Sequence, residues 1–124
     1  MNYRIVAVAA ALLLFTTAGV AQDGEDQYGA IAYSLRTHRY GYSTSERSRG
    51  SAERNALRSC RADDCQIKVW FRNNCAALAT GNRGSATGWG YDKNPRRAHQ
   101  RALSECGKYA NDCRVIVAAC SSDE

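Results

Sequence analysis

The chain has 124 residues and a formal net charge of +5 at pH 7, and 44% of its residues are hydrophobic. This length suits one domain and argues against several. A chain this short buries a modest core and often needs covalent cross-links, and six cysteines are present to supply them.

The N-terminal segment has the pattern of a cleaved secretory signal. Arg4 precedes an apolar run, Ile5–Phe15, whose eleven residues are too few to span a bilayer comfortably. Gly19 and Ala21 are small enough for the two subsites of a signal peptidase, so we predict a signal peptide over residues 1–21. An uncleaved membrane anchor is the alternative. A cleaved signal predicts a periplasmic or secreted protein.

The first half of the remaining chain alternates between strand and helix patterns. Residues 22–27 are acidic and polar and are expected to form a flexible leader. Ser48 or Ser51 is the expected N-cap of the helix. The predicted elements are three strands and one helix, in the order Tyr28–Ser34 (strand), Tyr40–Ser43 (strand), Ala52–Cys60 (helix) and Cys65–Arg72 (strand).

The second half repeats this order. Asn94 followed by Pro95 is typical of an N-cap and the first position of a helix. The predicted elements are again three strands and one helix, in the order Cys75–Ala79 (strand), Ser85–Tyr91 (strand), Pro95–Cys106 (helix) and Cys113–Cys120 (strand).

Three motifs recur between the halves. The helix frame Ala-x-x-x-Ala-Leu-x-x-Cys begins at Ala52 and again at Ala98, 46 residues later, and its apolar positions form one stripe of a helix. An aromatic-Gly-Tyr sequence occurs at 40–42 and 89–91, and a Cys-x-(Ile/Val)-x-Val strand at 65–69 and 113–117. We therefore predict one domain of two repeats, residues 28–72 and 73–121. The expected fold is α+β, with two ββαβ units forming an antiparallel-rich sheet and both helices on one face.

The order of motifs resembles a family of small exported bacterial proteins, the domain of unknown function 4189 family. The resemblance runs from Tyr28 to Ser121 and is carried by the segment Tyr-Gly-Ala-Ile-Ala-Tyr-Ser at 28–34, the two helix frames and the cysteine series. It implies export, a bacterial origin and this domain extent. It implies no catalytic residue.

All six cysteines follow the signal segment, and an even number in a short exported chain indicates a disulfide framework. A zinc site is the alternative, but it would favour Cys-x-x-Cys spacings, and none occurs. Six cysteines allow fifteen pairings, and the duplication favours one of them. Equivalent cysteines end the helices and start the strands that follow, which predicts the pairs Cys60–Cys65 and Cys106–Cys113 and leaves Cys75–Cys120.

Catalytic motifs are absent from the sequence. His38 and His99 invite comparison with a ribonuclease, but nothing requires a turn residue and a helix residue to converge. Glu53 and Glu105 are the carboxylates a glycosidase would need, and surface ion pairing is the expected role for both. No phosphate loop, dinucleotide fingerprint, calcium loop or nucleophile elbow is present. We therefore expect no enzyme activity, no cofactor and no metal.

An exposed sheet face with aromatic and basic side chains is the predicted binding site. If the helices cover Ile67, Val69, Gly88 and Gly90, the alternate residues project from the opposite face. Such a patch marks an interaction surface. The residues of this candidate binding face are Trp70, Trp89, Tyr91, Lys68, Arg72, Tyr40 and Tyr42.

The expected function is an exported, non-catalytic binding module. Its partner is unknown; an anionic cell-envelope glycan or another exported protein is the expectation, and export makes nucleic acid an unfavourable target. An inhibitor or immunity protein against a secreted enzyme is the first alternative, and a small secreted hydrolase is the second. The arginines on both helices are either solvated faces or a surface that attracts polyanions.

Overall fold

The computed structural model describes residues 25–123, so the predicted signal peptide lies outside the described residues. Its elements follow the predicted order, with longer second and fourth strands. The strands are β1 Tyr28–Tyr33, β2 Tyr40–Glu46, β3 Gln66–Arg72, β4 Cys75–Gly81, β5 Ala86–Asp92 and β6 Arg114–Cys120, and the helices are α1 Arg49–Cys60 and α2 Pro95–Cys106. Among the described residues, no helix is long and apolar enough to cross a membrane.

Both helices begin at the residues that their sequence indicates. The Ser48 hydroxyl accepts a hydrogen bond from the Ser51 amide at 3.1 Å. The Asn94 side chain accepts one from the Arg96 amide at 2.9 Å, and Pro95 occupies the first turn of α2. Each cap satisfies a backbone donor that the helix itself leaves unpaired, which is why the helices start there.

Each repeat forms its own three-stranded antiparallel sheet. The strand orders are β2-β1-β3 and β5-β4-β6. The α+β class and the duplicated ββαβ unit are therefore confirmed, but the strands divide into two sheets where one was expected. The physical reason is local pairing, because β3 and β6 return to the first strand of their own repeat and occupy the free edge of β1 and β4.

The two sheets pack face to face, and each carries one helix on its outer face. In β1, Ala30 and Ala32 contact α1, whereas Ile31 and Tyr33 point into the core between the sheets. In β4, Ala77 and Ala79 lie in the cluster beneath α2 in the same way. The result is a helix–sheet–sheet–helix sandwich, so the helices lie on opposite sides of the molecule and not on one common face. Small residues line the helix contacts and large ones fill the centre.

Two glycines allow the helices to lie close to the edge strands. A Cβ atom added at Gly41 would lie 2.2 Å from the Cys60 nitrogen, and one at Gly88 would lie 2.1 Å from the Cys106 nitrogen. These matching contacts make Gly41 and Gly88 equivalent. The recurring strand motif is therefore Tyr-Gly-Tyr at 40–42 and Thr-Gly-Trp at 87–89, two residues earlier in the second repeat than the sequence comparison placed it.

The six cysteines form three disulfides, Cys60–Cys65, Cys75–Cys120 and Cys106–Cys113, the pairs that the repeat symmetry predicts. Two of them connect the end of a helix to the strand that follows. The third joins residues that face each other across β4 and β6. Three such bonds persist in an oxidising compartment, and they anchor both helices and the last strand.

Candidate functional site

A cleft of about 550 Å³ opens at one end of the sandwich, where the two repeats meet. The turn between β1 and β2 forms one wall, and the turn between β4 and β5 forms another together with the start of β6. The charged and aromatic side chains that line the cleft are Tyr33, His38, Tyr40, Arg83, Asp112 and Arg114. Residues of both repeats are needed to build this site.

A buried tyrosine forms the base of the cleft. The Tyr33 hydroxyl donates a hydrogen bond to the Gly84 carbonyl at 2.8 Å, which ties the end of β1 to the turn between β4 and β5. Burial raises the pKa of Tyr33, so the phenol stays neutral and keeps its proton for this bond. The His38 ring lies nearly parallel to the Tyr33 ring, with 6.5 Å between their centroids. These contacts hold Tyr33 at the base of the cleft against Gly84 and His38 in its walls.

The turns around the cleft hold unusual backbone conformations. Seven described residues have a positive φ, and four of them, His38, Asn82, Arg83 and Gly84, lie in these two turns. The value at Gly84 is 96°, which favours glycine, and an added Cβ would lie 2.6 Å from Cδ2 of His38. Asp112 supports the second turn, because its carboxylate accepts a hydrogen bond from the Asn82 amide at 2.8 Å. Such conformations persist only where surrounding contacts fix them, and they cluster at functional sites.

The electrostatics of the cleft favour an anion. Arg83 and Arg114 both line it, and within residues 25–123 neither lies within ion-pair distance of a carboxylate. Asp112 is the acidic residue of the lining, and its carboxylate accepts a hydrogen bond from the Asn82 amide. Guanidinium groups bind carboxylate and phosphate oxygens through paired hydrogen bonds. The arrangement can therefore hold an anionic group.

The cleft does not assemble the acid–base pair of a ribonuclease. His38 lines it, whereas His99 lies on the exposed side of α2 and does not. Glu53 and Glu105 lie on different helices on opposite sides of the sandwich, and both form ion pairs, with Arg49 and Lys108. Within the described part of the chain, no three His, Cys, Asp or Glu side chains are grouped as metal ligands would be.

Four of the predicted binding residues lie on the sheet face that their helix leaves open. Tyr40 pairs with Tyr33 and Tyr42 pairs with Ile31, so both face away from α1. Trp89 and Tyr91 pair with Leu78 and Ala76, and they face away from α2. All four are exposed, and they lie on the edge strands β2 and β5. Only Tyr40 lines the cleft.

Trp70 and Arg72 lie on the other face of their sheet, which corrects the expected placement. They pair with Ala30 and Tyr28, and Ala30 packs against α1, so both project on the helix side. The Arg49 guanidinium at the start of α1 lies 4.4 Å from the Trp70 ring centroid. The reason is that the second sheet covers the face of β3 that carries Val69. The sequence analysis expected a helix to cover that face.

Lys68 lies where the pairing of β3 with β1 shifts its register. Val69 pairs with Ile31 and Ile67 pairs with Ala32, so Lys68 is the extra residue of a bulge. Because of this bulge Ile67 packs towards α1 while Val69 faces the second sheet. The seven predicted residues therefore do not form one surface.

Sequence reasoning missed the residues that give the cleft its charge. Arg83 belongs to a segment that the sequence marks only as a polar turn, and Arg114 begins a strand. Tyr33 was expected in the first strand, with no indication that its hydroxyl crosses to the second repeat. A signal was available in β1 and β4, whose nearly continuous apolar runs are typical of strands covered on both faces. That pattern predicts a second layer but does not place the turns.

Two comparisons with known proteins cover both repeats. The model of the family described as a domain of unknown function, DUF4189, matches residues 28–120. The NMR structure of Rv1813c from Mycobacterium tuberculosis superposes with a TM-score of 0.59 at 27% sequence identity, covering 97% of this chain and 93% of that one. No curated protein matches the chain.

Proposed function

Since the chain belongs to the domain of unknown function 4189 family, whose description states no activity, we propose from the geometry that it is a non-catalytic binding module for an acidic glycan. The observation that carries this proposal is the cleft between the repeats, in which Arg83 and Arg114 line a fixed cavity beside exposed Tyr40. The cations bind the acidic group, and the ring packs on the apolar face of a sugar.

The size and rigidity of the cleft support a small polar ligand. Its volume of about 550 Å³ lies in the range of small-molecule sites. The Tyr33–Gly84 hydrogen bond and the Asn82–Asp112 hydrogen bond hold its walls in place before a ligand arrives. A prearranged site loses less conformational entropy on binding than a mobile one, so weak individual contacts can still give useful affinity.

The compartment fits this ligand class. The three disulfides need an oxidising environment, and we propose that the protein acts in the periplasm or outside the cell. Glycans of the cell envelope carry carboxylate and phosphate groups, which are the anions that a guanidinium group recognises through two parallel hydrogen bonds. Removing residues 1–21 takes away only the charge of Arg4, so the exported chain keeps a net charge of 5 − 1 = +4, which adds a general attraction to such polymers that salt screens.

The test is the affinity of the oxidised protein for glucuronate-containing disaccharides, measured by calorimetry. Arg114→Ala removes a charged hydrogen-bond donor from the cleft and should weaken binding by about tenfold to a hundredfold. Arg96→Ala is the matched control, because Arg96 is exposed at the start of α2, does not line the cleft and carries the same charge.

The two variants separate a local site from general charge attraction. Both lower the net charge by one unit, so Arg96→Ala should leave the affinity nearly unchanged. Equal losses in the two variants, or no measurable binding by the wild-type protein, would contradict the proposal.

A further inference from the structure

A second groove runs along the exposed edge of β5. Trp89 and Tyr109 line two adjoining depressions of about 340 and 410 Å³, and Thr87 is the third residue common to both. The exposed fraction is 44% for Trp89 and 69% for Tyr109. Two large exposed rings thus line one groove, and neither belongs to the cleft.

The groove differs from the cleft in its charge. The charged residues that line the groove are Arg101 and Glu105. Arg101 forms an ion pair with Asp92 at 3.3 Å, and Glu105 forms one with Lys108 at 2.9 Å. A hydrogen bond from the Asn94 amide, together with the positive charges of nearby arginines, lowers the pKa of Asp92, so this carboxylate stays ionised. The charges of the groove are balanced within the protein. Rings and hydroxyl groups remain, a chemistry suited to an uncharged sugar.

One short turn separates the groove from the cleft. Arg83 and Gly84 line the cleft, and Ser85 and Ala86 line the groove. Arg83 and Ala86 are three residues apart, so their Cα atoms lie within about 11 Å of each other. The Asn82 side chain donates a hydrogen bond to the Tyr109 carbonyl at 3.2 Å, which holds the loop after α2 against this turn. A short oligosaccharide can span both sites.

We infer that Trp89 and Tyr109 form a second subsite, which binds uncharged sugar rings of the same glycan whose acidic group occupies the cleft. This inference rests on the proposed function and specifies its ligand: a glycan chain in which acidic and neutral sugars adjoin. A disaccharide with one acidic sugar occupies the cleft alone, whereas a longer oligomer also reaches the two rings. Affinity therefore increases with chain length, and the increase depends on the two rings.

Hyaluronan oligomers are suitable probes, because they alternate glucuronate with an uncharged N-acetyl sugar. The octasaccharide should bind the wild-type protein more tightly than the disaccharide. Trp89→Ala and Tyr109→Ala should each reduce octasaccharide affinity by about tenfold, the loss expected for one aromatic contact, and leave the disaccharide unaffected. Trp70→Ala is the matched control, since Trp70 is an exposed indole on the other sheet, outside both sites.

Fluorescence gives a second readout that does not depend on a destabilising substitution. The chain has two tryptophans, so Trp70→Phe leaves Trp89 as the only indole. Its emission should shift to shorter wavelength with the octasaccharide and not with the disaccharide, because only the longer probe covers the ring.

The outcomes distinguish this inference from the function on which it rests. Equal affinity for the two probes, or an affinity gain that survives Trp89→Ala and Tyr109→Ala, overturns the second subsite. The proposed function stands in that case if Arg114→Ala still weakens the disaccharide. Binding of neither probe overturns both.

Discussion

Replacing Gly84 with alanine should destabilise the fold and damage the cleft together. Gly84 has a φ of 96°, and a Cβ atom there would lie 2.6 Å from Cδ2 and 2.7 Å from Nε2 of His38. The left-handed conformation costs an alanine about 1–2 kcal/mol, and moving the exposed His38 ring away from its rotamer adds about 0.5–1.5 kcal/mol. The free energy of unfolding should fall by about 1.5–3.5 kcal/mol, which lowers the melting temperature of a domain this size by roughly 6–28 °C.

Circular dichroism melts of the oxidised protein measure this loss, with Gly50→Ala as the control. Gly50 lies in α1, has no positive φ, and its added Cβ would meet only the end of the Arg54 side chain at 3.2 Å. Helix propensity predicts that Gly50→Ala is neutral or stabilising by up to about 1 kcal/mol. A Gly84→Ala protein that melts within a few degrees of the wild type would refute the steric argument.

Two further predictions concern stability. Removing Cys75–Cys120, whose cysteines are 45 residues apart, should cost about 4 kcal/mol by loop-closure entropy, against about 2 kcal/mol for Cys60–Cys65, and urea unfolding of the paired alanine variants tests this order. Hydrogen bonds from the Ser34 hydroxyl and then the Arg36 amide lower the pKa of Asp64. Its stabilisation is therefore present above about pH 4 and is lost as the pH falls through the lower folded pKa, so Asp64→Asn should show a shallower loss of stability in acid; an equally steep loss would contradict this.

Much of the fold follows from short-range sequence signals. Ser48, Asn94 and Pro95 mark the helix starts through backbone hydrogen bonding, which neighbouring residues alone determine. The duplicated frame relates the cysteines of the two halves, so the repeat symmetry leads to the three disulfides. Strand alternation in β3 separates Val69 and Phe71 from Trp70 correctly, because side chains of a strand point to opposite faces.

The layer arrangement needed information that alternation does not contain. Alternation says that Val69 and Phe71 share a face, but not whether a helix or a second sheet covers it. The structure places the second sheet there, and Trp70 therefore lies on the helix side beside Arg49. The side-chain volumes indicate which face meets a helix and which meets a sheet. Alanines lie against the helices, while Ile31 and Leu78 fill the space between the sheets.

The cleft was beyond local reasoning because its parts are distant in sequence. His38 and Gly84 are brought together by the packing of two sheets, and the Tyr33 hydroxyl reaches across 51 residues to the Gly84 carbonyl. Arg83 and Arg114 have no sequence motif that separates them from the other arginines. Their significance comes from sharing one cavity, and only the tertiary structure shows this.

The most direct test of the central claim is a map of where an acidic sugar binds. A nitrogen-15 spectrum of the oxidised protein, titrated with a glucuronate-containing disaccharide, should show the largest shifts at the amides of Arg83, Gly84 and Arg114. The amides of the arginine-rich outer helix faces, at Arg54 and Arg97, should remain nearly unchanged. Largest shifts on those faces, with the cleft unaffected, would contradict the account and indicate a general polyanion surface instead.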